Sequence, residues 1–531
     1  MSTTEDAEPA KTGKPRRAPA LVRDLGVLDA SMLVMGAMIG SGVFITSAES
    51  SSLVGAPGWL MAAWALAGLM TVLGALSAAE LAAMMPKAGG QYYFLRTAYG
   101  PLAGFLFGWS LFLVVQTGTI AAVAVAFAKF LGVLVPAVSA ENRLILWEGG
   151  GYALRVSTQQ AAAVAVIVVL TIANTRGLKL GTWIQNTFTF AKTAALLGLI
   201  AVCFALGIDE KAAAWTSSWW DPWANGWTPN SYYKPPLPLD GYAAVAMLLG
   251  LAMIGPLFSS TAWNNVTFLG EETRDPGATF PRAMFRGTAC VVVLYLFANL
   301  GYLVALPFDA IRHAPQERVA TAAVEAAVGP RGQYLMAAAV LISTFGCANG
   351  LILAGARVFY AMARDRLFFQ AAARTNARRV PAVALYAQGA WACLLTLPAT
   401  AAVADDGRVA YGGLYSELLE YVIPVDLSFC LLMVAAVILL RREAPFLKRP
   451  YRVVAYPWTP GLYVAMAGLL VVDFLYLKPL TSGAGFLIVL TGLPVYFLWE
   501  RLSRRAPAAK ARTNAKPAPG PETASEQPDD R

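Results

Sequence analysis

Gly36-Ala-Met-Ile-Gly-Ser-Gly-Val-Phe44 places three glycines and a serine inside an apolar run, 28–50, that otherwise has the character of a membrane-spanning helix. Glycine in a helix interior costs roughly 1 kcal/mol against alanine. Unpaired backbone groups in hydrocarbon cost several kcal/mol each. Such a patch is expected where the helix breaks and turns its freed amides and carbonyls toward something polar at mid-membrane. The stretch therefore predicts a binding site made of backbone.

A second interruption falls in a later apolar run. Gly255-Pro-Leu-Phe-Ser-Ser-Thr-Ala-Trp-Asn-Asn265 carries a proline, three hydroxyls and two asparagines before an acidic end, Glu271-Glu272. One interruption could serve close helix packing, because small residues let backbones approach. Two of them, in the first and sixth spans, occupy corresponding positions of two five-helix halves. That is the pattern of an inverted-repeat transporter with a midplane site.

The bulk composition agrees with a polytopic, all-α membrane protein. Hydrophobic residues make up 57% of the 531, charged residues 14%, and the mean hydropathy is +0.55, too little polarity for the surface of a soluble fold. Runs near the roughly 20 residues needed to span occur at 28–50, 57–82, 101–131, 158–174, 183–207, 241–264, 284–307, 333–362, 382–404, 414–440, 458–477 and 482–500, twelve in all. With the N-terminus inside, the inner segments carry 29 Lys/Arg and the outer loops nine. This bias predicts that both termini are cytoplasmic. The net charge of +9 is thus a topology signal and does not mark a nucleic-acid partner. The tails, 1–24 and 504–531, have the composition of disordered segments. The loop at 208–240, with Trp215, Trp219, Trp220, Trp223 and Trp227, reads as an interfacial aromatic cluster in preference to a lid.

Several chemistries are excluded by what is missing. The single histidine, His313, lies in an outer loop, so neither a zinc site nor a histidine-based catalytic group can be assembled. The cysteines Cys203, Cys290, Cys347, Cys393 and Cys430 all fall within expected helices and read as packing residues. A membrane-embedded enzyme has no support in any such cluster, and a broken-helix site fits occlusion better than a continuous pore.

An ordered set of motifs spread over 25–460 resembles the amino acid–polyamine–organocation transporter superfamily, most closely its L-type amino acid transporter branch and bacterial relatives. The set comprises the first-span glycines, Ala79-Glu80 with Gly89-Gly-Gln-Tyr92, and Ala262-Trp-Asn-Asn265 with Glu271-Glu272. It continues with Phe280-Pro-Arg-Ala283, Gly355-Ala-Arg-Val-Phe-Tyr-Ala-Met-Ala-Arg364 and Arg449-Pro-Tyr-Arg-Val453. The resemblance implies a ten-helix core of the LeuT type over 25–440, built as 5+5 inverted repeats (25–207 and 241–440) with helices 1 and 6 broken. Two further helices would occupy 441–503. It also implies alternating access and a free amino acid held by its zwitterionic head; exchange, proton symport and uniport all stay open, and no cofactor or bound metal is expected. On that reading the amides from Ile39 through Gly40, Ser41 and Gly42, at the dipole end of a half-helix, suit a carboxylate. The carbonyls of Ala37 and Met38, with those of Phe258, Ser259 and Thr261, suit an ammonium, and Ala262 and Asn264 complete the sixth-span wall.

Where relatives often carry glycines or an aromatic, this chain has Ser259-Ser-Thr-Ala262. The branch's partner-linking cysteine is absent from 131–158, so no disulfide-linked accessory subunit is expected. Lys192 lies deep in the fifth span, where a lysine costs about 2.5–3.5 kcal/mol on insertion scales. In the sodium-independent transporters this chain resembles, such a lysine fills the volume that holds sodium in related symporters, so Lys192 is expected to be a structural cation or a protonatable coupling group. Its expected neighbours are carbonyls of helix 1 and the hydroxyls of Ser343 or Thr344. Asp426, in the tenth span, is a candidate proton carrier or a paired structural acid. With no charge evident around the breaks, a neutral L-amino acid is the expected substrate. A cationic amino acid or polyamine, paired to Asp426 or Glu420, is the alternative. Oligomeric state is not readable.

Overall fold

The computed structural model describes residues 25–513 apart from 150–151, 177, 232, 234–236, 379, 398–400, 404–408 and 412–413. The tail at 1–24 lies outside the described residues, and the final helix runs on to Thr513, nine residues past the start expected for the second tail. Among the described residues, eleven helices are long and apolar enough to cross a membrane. The twelfth expected span appears as a shorter apolar helix, Ala382–Leu395.

The first span is broken as its sequence requires. Helix α1 (Val27–Met38) stops, three residues intervene, and α2 (Gly42–Ile45) runs with little bend into α3 (Ser47–Val54). Then follow α4 (Pro57–Met84), the short connecting α5 (Gln91–Tyr99), and a long third span, α6 (Pro101–Ser110) and α7 (Gln116–Leu134), joined by a π-helical turn. The hairpin β1 (Arg143–Gly149) and β2 (Tyr152–Ser157), antiparallel with Trp147 opposite Leu154, precedes α8 (Thr158–Thr175) and α9 (Leu178–Leu206).

The sixth span divides into α10 (Gly241–Ala252), α11 (Ile254–Ser260) and a tighter 3₁₀ segment, Trp263–Phe268. Pro256 and the hydroxyl run explain the division, since proline removes an amide and hydroxyls compete for backbone partners. Helix α12 (Pro276–Ala305) begins eight residues earlier than expected, because Phe280-Pro-Arg-Ala283 forms its first turns. Two short helices, α13 (Phe308–Arg312) and α14 (Val319–Val328), lead to α15 (Gly332–Arg364), α16 (Ala382–Leu395) and α17 (Leu414–Glu443). Helices α18 (Trp458–Leu477) and α19 (Pro479–Thr513) complete the chain.

The broken spans sit at the centre. Helix α1 packs against α9, α12 and α15, and α11 packs against α2, α4 and α17. By contrast α18 and α19 lie outside, on α17, α4 and α6, and expose Leu469, Leu480 and Leu487. An apolar band of that kind suits lipid contact, which costs nothing in hydrocarbon.

The tryptophan-rich loop is tied to the helix ends beside it. Trp227 is buried and donates Nε1–H to the Ser52 carbonyl at 2.9 Å. The Gly58 amide donates to the Trp219 carbonyl at 2.8 Å, and Trp59 donates to the Trp220 carbonyl at 3.1 Å. On the opposite side of the bundle, where α1 begins, Arg96 and Tyr92 both bond Asp365. Burial and that carboxylate push the Tyr92 phenol above its usual range, so it remains a donor.

On that same side, one buried carboxylate organises three segments. Glu80, near the end of α4, takes both arms of Arg441 at 2.9 and 2.5 Å, lies 3.5 Å from Arg449, and accepts the Val453 amide at 2.7 Å. Its side chain is 2% exposed. Removing one partner of a buried, bidentate charge pair costs about 3–5 kcal/mol, because the other charges stay desolvated. Glu80→Ala is therefore expected to lower the thermal midpoint of the purified protein sharply. A scan indistinguishable from wild type would contradict this role.

Candidate functional site

Breaking a helix in a dry core strands its polar groups, and each stranded carbonyl of the first span finds a donor. Lys192 Nζ, fully buried on α9, donates to the Gly36 carbonyl. Cys347 Sγ on α15 reaches the Ala37 carbonyl at 3.4 Å. The Tyr295 hydroxyl on α12 is shared between the Met38 carbonyl, 2.9 Å, and the Ser259 carbonyl, 3.1 Å, so that one proton links the two breaks. Ser343 Oγ on α15 faces the Gly40 and Ile39 carbonyls at 3.0 and 3.3 Å, and the Tyr302 hydroxyl donates to the Val43 carbonyl at 3.1 Å. Carbonyls carry two lone pairs, so Ala37 and Met38 retain capacity for a second donor.

The amides behave differently. Those of Gly40, Ser41 and Gly42 have no acceptor among the described residues. They form the start of the α2–α3 half-helix, whose dipole favours an anion. The two breaks also touch: a Cβ on Gly42 would lie 2.8 Å from Ser259 Cβ and 3.0 Å from its Cα, and one on Gly255 would meet the side chain of Thr46. Only glycine permits that approach. At Ala262 the backbone is left-handed, φ 68°, a conformation costing an L-residue roughly 1–2 kcal/mol. It turns the sixth span out of α-helix just where the cavity lies.

A small cavity occupies the space between the breaks. Its wall takes Ala37, Met38, Gly40, Ser41 and Gly42 from the first span and Phe258, Ser259, Thr261 and Ala262 from the sixth. Thr119, Val123, Cys347 and Leu351 close it from α7 and α15. Ile39 does not face it and is core. Asn264 lines a neighbouring cavity and donates Nδ2–H to Gln91 Oε1 at 2.6 Å. The Phe258 carbonyl already accepts both the amide and the hydroxyl of Thr261, at 3.2 and 2.8 Å.

Of the coupling candidates, Ser343 meets helix 1 and not Lys192, while Thr344 turns back on its own helix to Val340 at 2.8 Å. Asp426 lines the neighbouring cavity. Glu420 is engaged by Lys478 at 2.7 Å. Arg357 meets Glu272 at 3.1 Å.

Contacts lie on either side of the two breaks. Toward α3, the Tyr415 hydroxyl lies 3.1 Å from Ser41 Oγ, and its ring stacks edge-on against Phe258 at 5.9 Å. Toward the chain termini, Leu25 and Thr273 form a bridge closed by Leu25 N–H to the Glu272 carbonyl at 3.1 Å and Arg274 N–H to the Leu25 carbonyl at 3.0 Å. Tyr415, Tyr295 and Cys347 were not apparent from sequence, since nothing local to them shows that they face the break.

The family model for amino acid permeases matches residues 25–498. The chain belongs to the amino acid permease family. It is 29% identical over 502 residues to large neutral amino acids transporter small subunit 2 of Mus musculus, covering 93% of this chain and 84% of that protein. It is 28% identical over 483 residues to Asc-type amino acid transporter 1 of Mus musculus, covering 90% and 81%. To serine/threonine exchanger SteT of Bacillus subtilis it is 27% identical over 480 residues, covering 90% and 97%.

The contact between the breaks gives a direct test. Overpacking costs about 1–3 kcal/mol, so Gly42→Ala is expected to weaken uptake of labelled amino acid by about tenfold. Adding Ser259→Gly, which removes the nearest atoms, should restore part of it. Undiminished uptake in Gly42→Ala would mean the breaks do not need to touch.

Proposed function

We propose that this permease exchanges neutral L-amino acids across the cell membrane by alternating access, independently of sodium, with both termini cytoplasmic. The observation that carries the reading is the pairing at the first break. Free amides at Gly40, Ser41 and Gly42 stand beside carbonyls of Ala37 and Met38, a complement to a carboxylate and an ammonium on one carbon. The relatives' names speak of large neutral amino acids and of a serine/threonine exchanger. The fully buried Lys192 on α9 donates to the Gly36 carbonyl of helix 1, which supports independence from sodium. The positive-charge bias of 29 to nine supports the orientation.

With Ser41, Tyr415 and Phe258 closing one end and the Leu25–Thr273 bridge with Arg357–Glu272 the other, the geometry is that of an occluded step. In transport one closure opens while the other holds. The chemistry asked of the residues is binding and release, with the amino acid leaving unaltered. The segment 131–158 holds no cysteine, which supports transport without a disulfide-linked subunit.

Asp426 favours a second reading, a cationic amino acid or polyamine carrier, because it borders a cavity adjoining the head site. Counterflow in proteoliposomes, with and without a pH gradient and with choline replacing sodium, separates the two. Neutral L-amino acids are expected to exchange equally well in choline and to be recovered unchanged. Loss of uptake in choline would overturn the role given to Lys192. Arginine or putrescine outcompeting leucine and serine would establish the second reading instead.

A further inference from the structure

Helix α18 lies outside the broken core yet carries an acid, Asp473, four residues before its end at Leu477. One oxygen of that carboxyl, Oδ2, is buried and has no hydrogen-bond partner among the described residues. It is pressed on Gly250 of α10: a Cβ there would overlap Oδ2 and lie 3.0 Å from Asp473 Cγ. Only glycine admits a carboxyl so close. Gly250 also stands at the joint of the sixth span. Its carbonyl and that of Leu249 share the Met253 amide, each at 3.1 Å, just before α11 begins.

Among the described residues no cation answers this acid. Helix α18 packs on α10, α4, α17 and α19. Helix α10 offers only Tyr242, two turns away against Trp223, and α4 only Glu80, held by Arg441 near its far end. On α17, Glu420 is engaged by Lys478 at 2.7 Å, and Asp426 and Cys430 face Tyr463, ten residues before Asp473. Helix α19 has no titratable group before Tyr496. Tyr476 and Tyr233 are nearby, and Tyr233 donates to the Leu477 carbonyl at 2.5 Å, which anchors the end of α18. An unpaired carboxylate pressed on a helix backbone loses its solvation, whereas the neutral acid loses far less.

We propose that Asp473 is a proton-binding latch: with its proton it holds α10 against α18, and its ionisation frees α10 to move. The packed arrangement binds the proton more tightly than one in which water reaches the oxygen. Acid therefore favours the packed arrangement and alkali the parted one. The effect on rate rests on the proposed exchange, in which the spans around the breaks must part. The proton site itself does not.

Asp473→Asn, neutral at every pH, supplies the test between about pH 5 and pH 8, a range over which an ordinary aspartate scarcely titrates. In proteoliposomes with equal pH on both faces, no gradient drives uptake. Wild-type counterflow of labelled amino acid is then expected to rise about threefold or more from the lower pH to the higher, while that of Asp473→Asn changes little. In detergent, the thermal midpoint of wild type should fall by several degrees relative to the variant's over the same rise. The packed fold holds a proton that the unfolded chain has released, so its stability is lost as pH rises. The midpoints need no transport: absence of counterflow at both pH values would fail the exchange reading and leave them to decide the latch. A pH profile of Asp473→Asn as steep as that of wild type, or midpoints that run parallel, would overturn the proposal. Should that variant fail to reach the membrane, Gly250→Ala decides, because its methyl displaces the carboxyl. A flattened profile there supports the latch and an unchanged one overturns it.

Discussion

A helix interrupted in the middle of a membrane is tolerable only when other helices satisfy what it exposes. Here five donors, from Lys192, Cys347, Tyr295, Ser343 and Tyr302, meet the carbonyls from Gly36 to Val43. Four helices are fixed relative to one another by that demand. The asymmetry bears on the proposed function: the carbonyls are held by protein, whereas the amides of Gly40, Ser41 and Gly42 have no acceptor among the described residues. A site whose acceptors are satisfied and whose donors are free is predisposed to an anionic group, with the ammonium taking remaining lone pairs.

The same constraint explains how a rigid site sits within moving parts. Tyr295 spans the Met38 and Ser259 carbonyls, joining the two breaks through one hydroxyl. The Gly42–Ser259 contact leaves no room for a side chain between them. The contacts on either side are few: a single hydroxyl pair between Tyr415 and Ser41, at the first break itself, and a short bridge at Leu25. Motion at either end thus costs a few hydrogen bonds that water replaces on opening.

Much of this was legible in the sequence because it rests on residues that are costly in lipid. Glycines in an apolar run, a proline with three hydroxyls, and a lysine far from either interface each demand an explanation from local sequence alone. The breaks follow from that, whereas the contact of Lys192 with helix 1 was expected through the family resemblance. What did not follow is facing. A helix apolar all round carries no signal of which side meets a neighbour, so Tyr295 and Tyr415 looked like any other buried aromatics. Ser343 and Thr344 are adjacent and chemically alike, yet one reaches helix 1 and the other its own backbone. Asp426 was visible as an expensive charge, but its place in a cavity wall with Ala262 was not, and neither was the turn at Ala262. Alanine gives little warning of a left-handed backbone.

The central claim is that peptide groups of the two interrupted spans grip the head of the transported amino acid. An experimental structure determined with a transported amino acid bound tests it most directly. The account predicts ligand density with its carboxylate at the amides of Gly40, Ser41 and Gly42 and its ammonium toward Ala37 and Met38. Density elsewhere in the bundle, or first and sixth spans running as uninterrupted helices, would contradict it.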